Sequence, residues 1–237
     1  MKFLLSVCLA GALGVAADLA LSNVMQSPPM QKGISVQMAT SRNAAAMPEA
    51  DNQNAWIVAV TAEGKLYFGI EPVTSAGLAD EMKRRPRNRQ AKLYIKADAR
   101  APFTSVEKVL EAGRTAFFDE PVLLTSKPGS NAPGNMVPAP GNIVPPSGLD
   151  VLVDASPSDS QSTVVQVVNS APGPPTVRIN NQDVSWDALQ DKLRQSLPND
   201  RVVLVKADGS ARFADAVRAI DACRGAGAKV VLPTPGL

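Results

Sequence analysis

Two short stretches of the chain repeat a lysine and an aspartate in one arrangement, and they are the first candidates for chemistry. Lys-Ala-Asp occurs at Lys96 to Asp98 and again, 110 residues later, at Lys206 to Asp208. Acid–base catalysis needs a second titratable group within reach, and no acid or base stands at a useful spacing in both copies. An aspartate between a strand and a helix more typically binds loop N–H groups and the positive end of the helix. We therefore interpret these four residues as a structural motif and predict no catalytic residue.

The rest of the composition also argues against enzymatic and metal chemistry. The chain has 237 residues and contains no histidine, which removes the commonest general base and metal ligand. Its two cysteines, Cys8 and Cys223, are too far apart for a Cys-x-x-Cys site. We predict no metal and no cofactor, and we expect Cys223 to be a buried, unreactive thiol. The net charge of +2 is too small to indicate a nucleic-acid partner.

One basic cluster stands out from this nearly neutral background. Six of ten consecutive residues are basic, and the matching stretch at 192–201 is far less so. The fold therefore does not demand the cluster. It is either a solvated loop or a docking surface for an anionic partner, such as an acidic protein face, cell-wall carboxylates or lipid head groups. Its members are Lys83, Arg84, Arg85, Arg87, Arg89 and Lys92.

The repeated motif extends into a repeated domain. Phe103 and Phe213 keep the offset of the Lys-Ala-Asp copies, and each begins an apolar pattern with helical spacing. Self-similarity at one long offset indicates two copies of one folding unit. The sequence predicts an α+β fold of two tandem ββαβαβ modules, each a small mixed sheet with two helices on one face. The last two strands of each module flank a helix and should therefore be parallel.

Individual elements follow from periodicity and from capping residues. In the first module we predict strands 56–60 and 65–70, a helix from Thr74 to 85, a strand 92–95, a helix with Phe103, Val106, Val109, Leu110 and Phe117 on its inner face, and a strand 121–125. In the second we predict strands 164–168 and 176–179, a helix opened by Ser185, a strand 202–205, a helix from Phe213 that ends at Gly227, and a strand 229–232.

The remaining segments join or precede the modules. The predicted division is a signal peptide or transmembrane anchor at 1–21, a tether at 22–54, the first domain at 55–126, a Pro/Gly-rich linker at 127–148 and the second domain at 149–237. Within the tether, 34–38 alternates as a short strand would. For 1–21 two interpretations stay open: cleavage before Asp18, as in a secretory signal peptide, or retention as an anchor. In either case the body of the protein is exported.

The ordered set of features resembles the periplasmic domain of the ExbD/TolR family. These features are a hairpin with a Val-Thr helix start, a strand that ends in Lys-Ala-Asp, a helix led by phenylalanine and a closing Val-Leu-x-Thr strand. The stretch 58–125 matches best, 164–234 matches nearly as well, and 31–38 resembles the segment that these proteins carry just outside the membrane.

The resemblance implies a role and a set of partners. Family members partner a larger membrane protein, ExbB or TolQ, and use the proton-motive force to energise TonB- or TolA-dependent work at the outer membrane. TolR-like domains are also associated with peptidoglycan. The family carries its membrane aspartate near the cytoplasmic end, whereas Asp18 lies at the opposite end of the apolar run and is a weak candidate for a proton relay.

Two functional hypotheses follow. In the first, the protein is a non-enzymatic envelope component of a proton-coupled transport or envelope-maintenance complex in the bacterial inner membrane, and it works by docking. In the second, it is a released periplasmic binding module for cell wall or an envelope protein that has lost the motor role. Exposed sheet edges would serve docking by strand addition, and also a homodimer or an internal pseudo-dimer of the two modules.

Overall fold

The structure is a computed structural model, and it describes residues 33–86, 88, 90–128, 146–154, 163–170, 173–197 and 202–234. The predicted leader or anchor at 1–21, with Asp18, lies outside the described residues. Within the described part, no helix is both long and apolar enough to cross a membrane.

The first module contains the predicted elements and one additional strand. After β1 (Ala45–Ala46) and a 3₁₀ turn (Pro48–Asp51), its elements are β2 (Trp56–Val60), β3 (Leu66–Phe68), β4 (Glu71–Val73), α1 (Ser75–Arg84), β5 (Leu93–Ala97), α2 (Phe103–Thr115) and β6 (Val122–Thr125). The helix start was predicted correctly, since the Thr74 side chain accepts a hydrogen bond from the Gly77 N–H at 3.2 Å.

The second module repeats this order after two short strands. The first of these, β7 (Ser147–Asp150), joins the first sheet, and the elements of the second module are β8 (Leu152–Asp154), β9 (Thr163–Val168), β10 (Thr176–Ile179), β11 (Gln182–Val184), α3 (Leu189–Ser196), β12 (Val202–Ala207), α4 (Phe213–Gly225) and β13 (Lys229–Pro233). Ser185 Oγ accepts from the Ala188 N–H at 3.3 Å, but the regular helix begins only at Leu189.

Each module forms one mixed sheet with both helices on one face. The first sheet has the order β1-β7-β6-β5-β2-β3-β4, and the second has the order β11-β10-β9-β12-β13-β8. The predicted parallel pairs are present as β5 with β6 and β12 with β13. The inward residues of both sheets and the apolar faces of all four helices share one hydrophobic cluster, so the two modules have a continuous core. The α+β prediction is confirmed.

A single stretch at 147–154 joins the two sheets. Its first half, β7, pairs antiparallel with β6, and its second half, β8, pairs parallel with β13. Further N–H groups, of Val151 and Val153, donate to the carbonyls of Pro121 and Asp119. Because one stretch is antiparallel to β6 and parallel to β13, the parallel strands of the two modules run in opposite directions.

The helix starts of the two modules also meet, with near-twofold symmetry. The Phe103 N–H donates to the Ala211 carbonyl at 2.8 Å, and the Phe213 N–H donates to the Ala101 carbonyl at 2.8 Å. The two bonds are related by the same offset as the sequence repeat. The chain is thus an internal pseudo-dimer. Each module supplies a carbonyl that accepts a hydrogen bond from a free N–H group at the start of the other module's long helix, α2 or α4.

Residues of the predicted tether and linker form part of the first module. Val36, Met38 and Ala50 pack on the face of the first sheet that the helices leave open, and β1 pairs with β7. We call residues 34–51 the covering segment. The strand expected at 34–38 is not formed, and Met38 makes only an isolated bridge with Asp98. The predicted start of the second domain at 149 falls inside β7, which belongs to the first sheet.

One predicted core residue was wrong. Phe117, expected on the inner face of α2, has 73% of its surface exposed, and Phe118 is buried in its place. The reason is local, because α2 ends at Thr115 and the chain then turns through a left-handed residue, Phe117 itself, with φ of 64°. Helical spacing therefore no longer applies beyond the turn.

Candidate functional site

The repeated aspartates accept hydrogen bonds from loop N–H groups in both modules. Asp98 accepts hydrogen bonds from the backbone N–H groups of Arg100 and Gln37, at 3.0 and 3.1 Å, and from the Arg100 guanidinium. Asp208 accepts from the backbone N–H of Ser210 at 2.8 Å. The Arg100 hydrogen bond holds the pKa of Asp98 below its usual range, and the Ser210 side-chain hydrogen bond does the same for Asp208. Both carboxylates therefore hold the loop that precedes a long helix.

The two repeated lysines differ sharply in environment. Lys96 points to the outer face of the first sheet, is completely buried there, and feels the attraction of Asp51 on the covering segment. Burial lowers the pKa of Lys96 to about 8, because the ammonium loses hydration that Asp51 restores only in part. Lys206 occupies the matching position on β12 and is only half-buried. Lys96 is buried because the covering segment lies over it, and the module fold alone does not bury the matching lysine.

The carboxylate beside Lys96 is also perturbed by burial. Asp51 ends the 3₁₀ turn of the covering segment, and burial raises its pKa while Lys96 acts in the opposite direction. Its Oδ1 atom is buried with no hydrogen-bond partner among the described residues. This pair holds together two segments that are far apart in sequence. Lys96 is fully buried and Asp51 is half-buried.

A second group of notable residues lies where the parallel strands of the first module begin. We call this the basal end, and define it by the loops 52–55, 69–70, 84–86 and 116–121 together with residues 88 and 90–92. It carries both large apolar side chains that are strongly exposed in the described part of the chain, Ile70 at 71% and Phe117 at 73%. Ile70 lies in the turn between β3 and β4, and Phe117 lies in the turn that follows α2.

Phe117 occupies a helix-end position that favours glycine. The N–H groups of Phe117 and Phe118 donate to the carbonyls of Arg114 and Gly113, at 2.9 Å each, which is a Schellman motif with Phe117 at the left-handed position. The second module closes α4 in the same way, with Gly227 at φ of 82° in that place. A side chain at this conformation costs about 1–2 kcal/mol. The first module thus has backbone strain at Phe117, a residue whose aromatic ring is exposed on the surface.

The basal end also contains a cavity of about 560 Å³. Trp56 forms its inner wall and packs on Phe68 and Phe118, with ring centres 5.4 and 5.3 Å apart. The Arg85 guanidinium lies 4.0 Å from the centre of the Phe68 ring and closes one side. The lining combines aromatic surface with side-chain amides: Gln53, Asn54, Ala55, Trp56, Phe68, Arg85, Pro86, Asn88 and Ala91.

The described members of the predicted basic cluster lie at or beside this end, but they do not form one uniform surface. Arg84 pairs with Glu81 at 2.9 Å, and Lys92 pairs with Asp150 at 3.0 Å, a hydrogen bond that raises the pKa of Lys92. Lys83 and Arg85 are exposed. Arg87 and Arg89 lie outside the described residues.

The described residues give no support to metal or thiol chemistry. No group of three or more potential metal-binding side chains (His, Cys, Asp or Glu) occurs among them. Cys223 is fully buried on the apolar face of α4, and burial raises the pKa of its thiol to about 12. Such a thiol is almost entirely protonated at neutral pH and is therefore a poor nucleophile.

Sequence reasoning did not single out Ile70 or Phe117 as surface residues. The signal was present in the repeat, because Gly227 was recognised as the end of α4 while its counterpart, Phe117, was treated as core. It also did not anticipate β4 and β11. A Gly-Ile pair at 69–70 and an Asn-Asn pair at 180–181 are the turns that open these strands, and Gly69, Asn180 and Asn181 all have positive φ.

Comparison with known protein families agrees with the repeat. The family model described as "Biopolymer transport protein ExbD/TolR" matches residues 19–127 and again residues 141–235. No individual curated protein is similar enough to be counted as a match. The two matched segments contain the two modules, each with its own preceding segment, and together they span most of the chain. The chain therefore belongs to the ExbD/TolR family of biopolymer transport proteins.

Proposed function

We propose that this protein is a non-enzymatic cell-envelope component of a complex that uses the proton-motive force for transport or envelope maintenance. Its partners would be an ExbB- or TolQ-like membrane protein and a TonB- or TolA-like protein, with peptidoglycan as a further contact. The observation that carries the proposal is the double family match on a fold built for contact: two family modules docked as an internal pseudo-dimer. One chain then supplies two docking modules in a fixed geometry.

Strand addition at β11 is the docking mode that the edges favour. Among the described strands, β4 and β11 are the outermost of their sheets on the sides away from the joining stretch at 147–154. The strand registers make Pro72 on β4 equivalent to Asp183 on β11. Proline lacks an N–H group and is confined to positions where that group would face away from the sheet. An incoming strand therefore lacks a donor at Pro72, whereas Asp183 supplies one.

The test of strand addition places in β11 the residue that β4 has at the matching position. Asp183→Pro gives β11 the edge that β4 already has and should abolish pairing with a partner strand. Asp183→Ala is the control, because it removes the ion pair with Arg178 at 2.7 Å but keeps the N–H group. The measurement is recovery of the ExbB/TolQ-like or TonB/TolA-like protein with the tagged full chain from solubilised membranes. Equal recovery with both variants would rule out strand addition at β11.

The second hypothesis, a released binding module, is favoured by the position of Asp18. This acid lies at the outer end of the apolar run at 3–17, whereas the family's proton-coupling aspartate lies near the cytoplasmic end. The amino terminus of the mature protein decides between the hypotheses. Protein that begins at Met1 and stays on washed membranes supports the anchored component, and free protein that begins at Asp18 supports the released module.

A further inference from the structure

We propose that the basal end of the first module rests on the surface of a phospholipid bilayer, with Phe117 and Ile70 as apolar anchors. The inference rests on the envelope location that family membership gives, but not on any particular protein partner. Three features of the described residues meet at this end of the molecule: the point where the described chain enters, the two exposed apolar side chains, of which Phe117 is strained, and the exposed basic residues Lys83 and Arg85.

The entry point of the chain is the first of these features. Gly33, the first described residue, lies against the carbonyl of Gly69 and the side chain of Ile57; a Cβ placed on Gly33 would be 3.5 Å from atoms of each. Gly69 directly precedes Ile70. The preceding part of the chain, which includes the predicted leader or anchor, therefore joins the first module at its basal end. A segment inserted in a membrane would bring this end closest to the bilayer.

The second module supplies an internal control for the two anchors. The strand registers match Ile70 to Asn181, and the helix ends match Phe117 to Gly227. The same fold is therefore closed with a polar residue and with glycine at these positions. Two large apolar side chains at the basal end are a property of the first module alone, and the left-handed position of Phe117 makes that choice costly for stability.

The orientation of the two modules agrees with a single membrane-facing end. Because the parallel strands run in opposite directions, the matching end of the second module points away from the basal end of the first. Only one of the two ends can lie against a flat bilayer. The end that carries Asn181 and Gly227 is the one without the apolar anchors.

The charges at the basal end predict a modest preference for anionic lipid. Arg85 is exposed there and Lys83 is exposed beside it, in the last turn of α1, whereas Arg87 and Arg89 lie outside the described residues. Against them stand the exposed acids Glu71, Asp119 and Glu120. An aromatic ring and a branched aliphatic side chain are suited to the interfacial region of a bilayer. The apolar contacts should therefore carry most of the binding, with the basic residues adding selectivity.

The test measures local contact with lipid in the full chain, since its amino-terminal segment could hold any variant on a vesicle. Amide hydrogen exchange is followed in detergent, in phosphatidylcholine vesicles and in vesicles that also contain phosphatidylglycerol. We expect exchange at 69–71 and 116–120 to slow several-fold in both kinds of vesicle relative to detergent. The matching amides at 180–182 and 226–228 should not change.

Substitutions taken from the second module sharpen the test. Phe117→Gly, which should fold at least as well as the wild type, and Ile70→Asn should each remove most of the slowing. The control Asn181→Ile places an apolar residue at the opposite end and should change nothing at the basal end. Lys83→Gln should reduce the extra slowing in phosphatidylglycerol vesicles about fivefold, since one basic residue near an anionic surface contributes about that factor.

Several results would overturn the inference. Exchange at 69–71 and 116–120 that is the same in detergent and vesicles would refute it, as would slowing that survives Phe117→Gly. Slowing that appears only after an ExbB/TolQ-like protein is added would show that this end docks on protein instead. Loss of partner recovery with lipid contact retained would refute the proposed complex but leave this inference standing.

Discussion

The two modules share a scaffold and differ in what is placed on it. The long helix of each module, α2 or α4, begins with a buried phenylalanine, Phe103 or Phe213. In both modules an aspartate accepts hydrogen bonds from the preceding loop. They differ in the covering segment, in the residue that closes that helix and in the outer strand of the sheet. Because the fold is common to both, the shared residues report on folding, and the differing ones report on the separate tasks of the modules.

The two modules are two different sequences that adopt the same fold within one chain. A feature that one module lacks is not needed for the fold. By that criterion the buried charge at Lys96, the aromatic ring at Phe117 and the blocked edge at Pro72 are specific to the first module.

The shared core gives the largest expected effect. Phe103→Ala and Phe213→Ala should each lower the free energy of unfolding by about 3–5 kcal/mol, because each deletes a buried ring from one continuous cluster. Both should leave a single unfolding transition. Denaturant unfolding followed at Trp56 and at Trp186, each isolated by replacing the other tryptophan with phenylalanine, measures this. Two separate transitions in the wild type would show that the modules do not share a cooperative core.

The buried lysine predicts a pH dependence confined to the first module. In the folded protein the pKa of Lys96 is about 8, below the ordinary value of 10.5, so in this range the unfolded chain binds more protons. The contribution of Lys96 to the free energy of unfolding should therefore rise between about pH 8 and 10, towards a limit of about 3 kcal/mol for the full pKa shift. Above about pH 9, ionisation of Cys223 in the unfolded chain opposes this gain, since burial raises the pKa of that thiol to about 12 in the folded protein. The Lys96 contribution is therefore measured as the difference between the wild type and Lys96→Met. Above pH 10, ionisation of Tyr94 in the unfolded chain opposes the gain, since burial raises its pKa in the folded protein.

Two substitutions isolate that titration. Lys96→Met removes the ionisable group while it keeps an unbranched side chain of similar size, and the rise with pH should largely disappear from urea unfolding curves. Lys206→Met is the matched control and should retain the rise. A rise that persists undiminished in Lys96→Met would assign the effect to another group.

The helix ends predict a smaller, reciprocal effect. Phe117→Gly should raise the free energy of unfolding by about 1 kcal/mol, because glycine adopts the left-handed conformation without the Cβ penalty. Gly227→Phe should lower it by a comparable amount. Thermal unfolding of both variants at one pH measures the pair. Destabilisation by Phe117→Gly would show that the ring contributes packing that outweighs its strain.

The smallest expected effect is at Asp18. Asp18→Asn should leave recovery of the ExbB/TolQ-like partner and retention on membranes unchanged, since this acid lies at the outer boundary of the apolar run. The measurement is co-purification from washed membranes beside the wild type. Loss of partner-dependent activity with normal retention would restore Asp18 as a proton relay.

Sequence reasoning reached most of the fold because local rules act within each module. Capping at Thr74, the helical spacing after Phe103 and Phe213, and the parallel strands around each helix were all predictable. Predictions failed where a turn changed the direction of the chain. The spacing that places Val109 and Leu110 inside does not extend to Phe117, because the helix ends two residues earlier.

The candidate surfaces were predictable only in part. The basic cluster was visible as composition, and the pair of Arg84 with Glu81 is local to α1, but the pair of Lys92 with Asp150 depends on where β7 lies. The covering segment resembles a tether in sequence because most of its apolar residues are alanines and its alternating run, 34–38, is short. Only the folded sheet offers Ile57 and Tyr94 as a surface on which Val36 and Met38 can be buried.

The sequence by itself determined that the chain is a duplication, that each copy is a helix-covered mixed sheet, and which family it resembles. These properties follow from periodicity and from the fixed offset between copies. The tertiary structure decided that the copies are inverted, joined through 147–154 and fused in one core, and that Lys96 is buried while Lys206 is only half-buried. Such properties depend on contacts between segments distant in the chain, and no local pattern specifies which faces those segments cover.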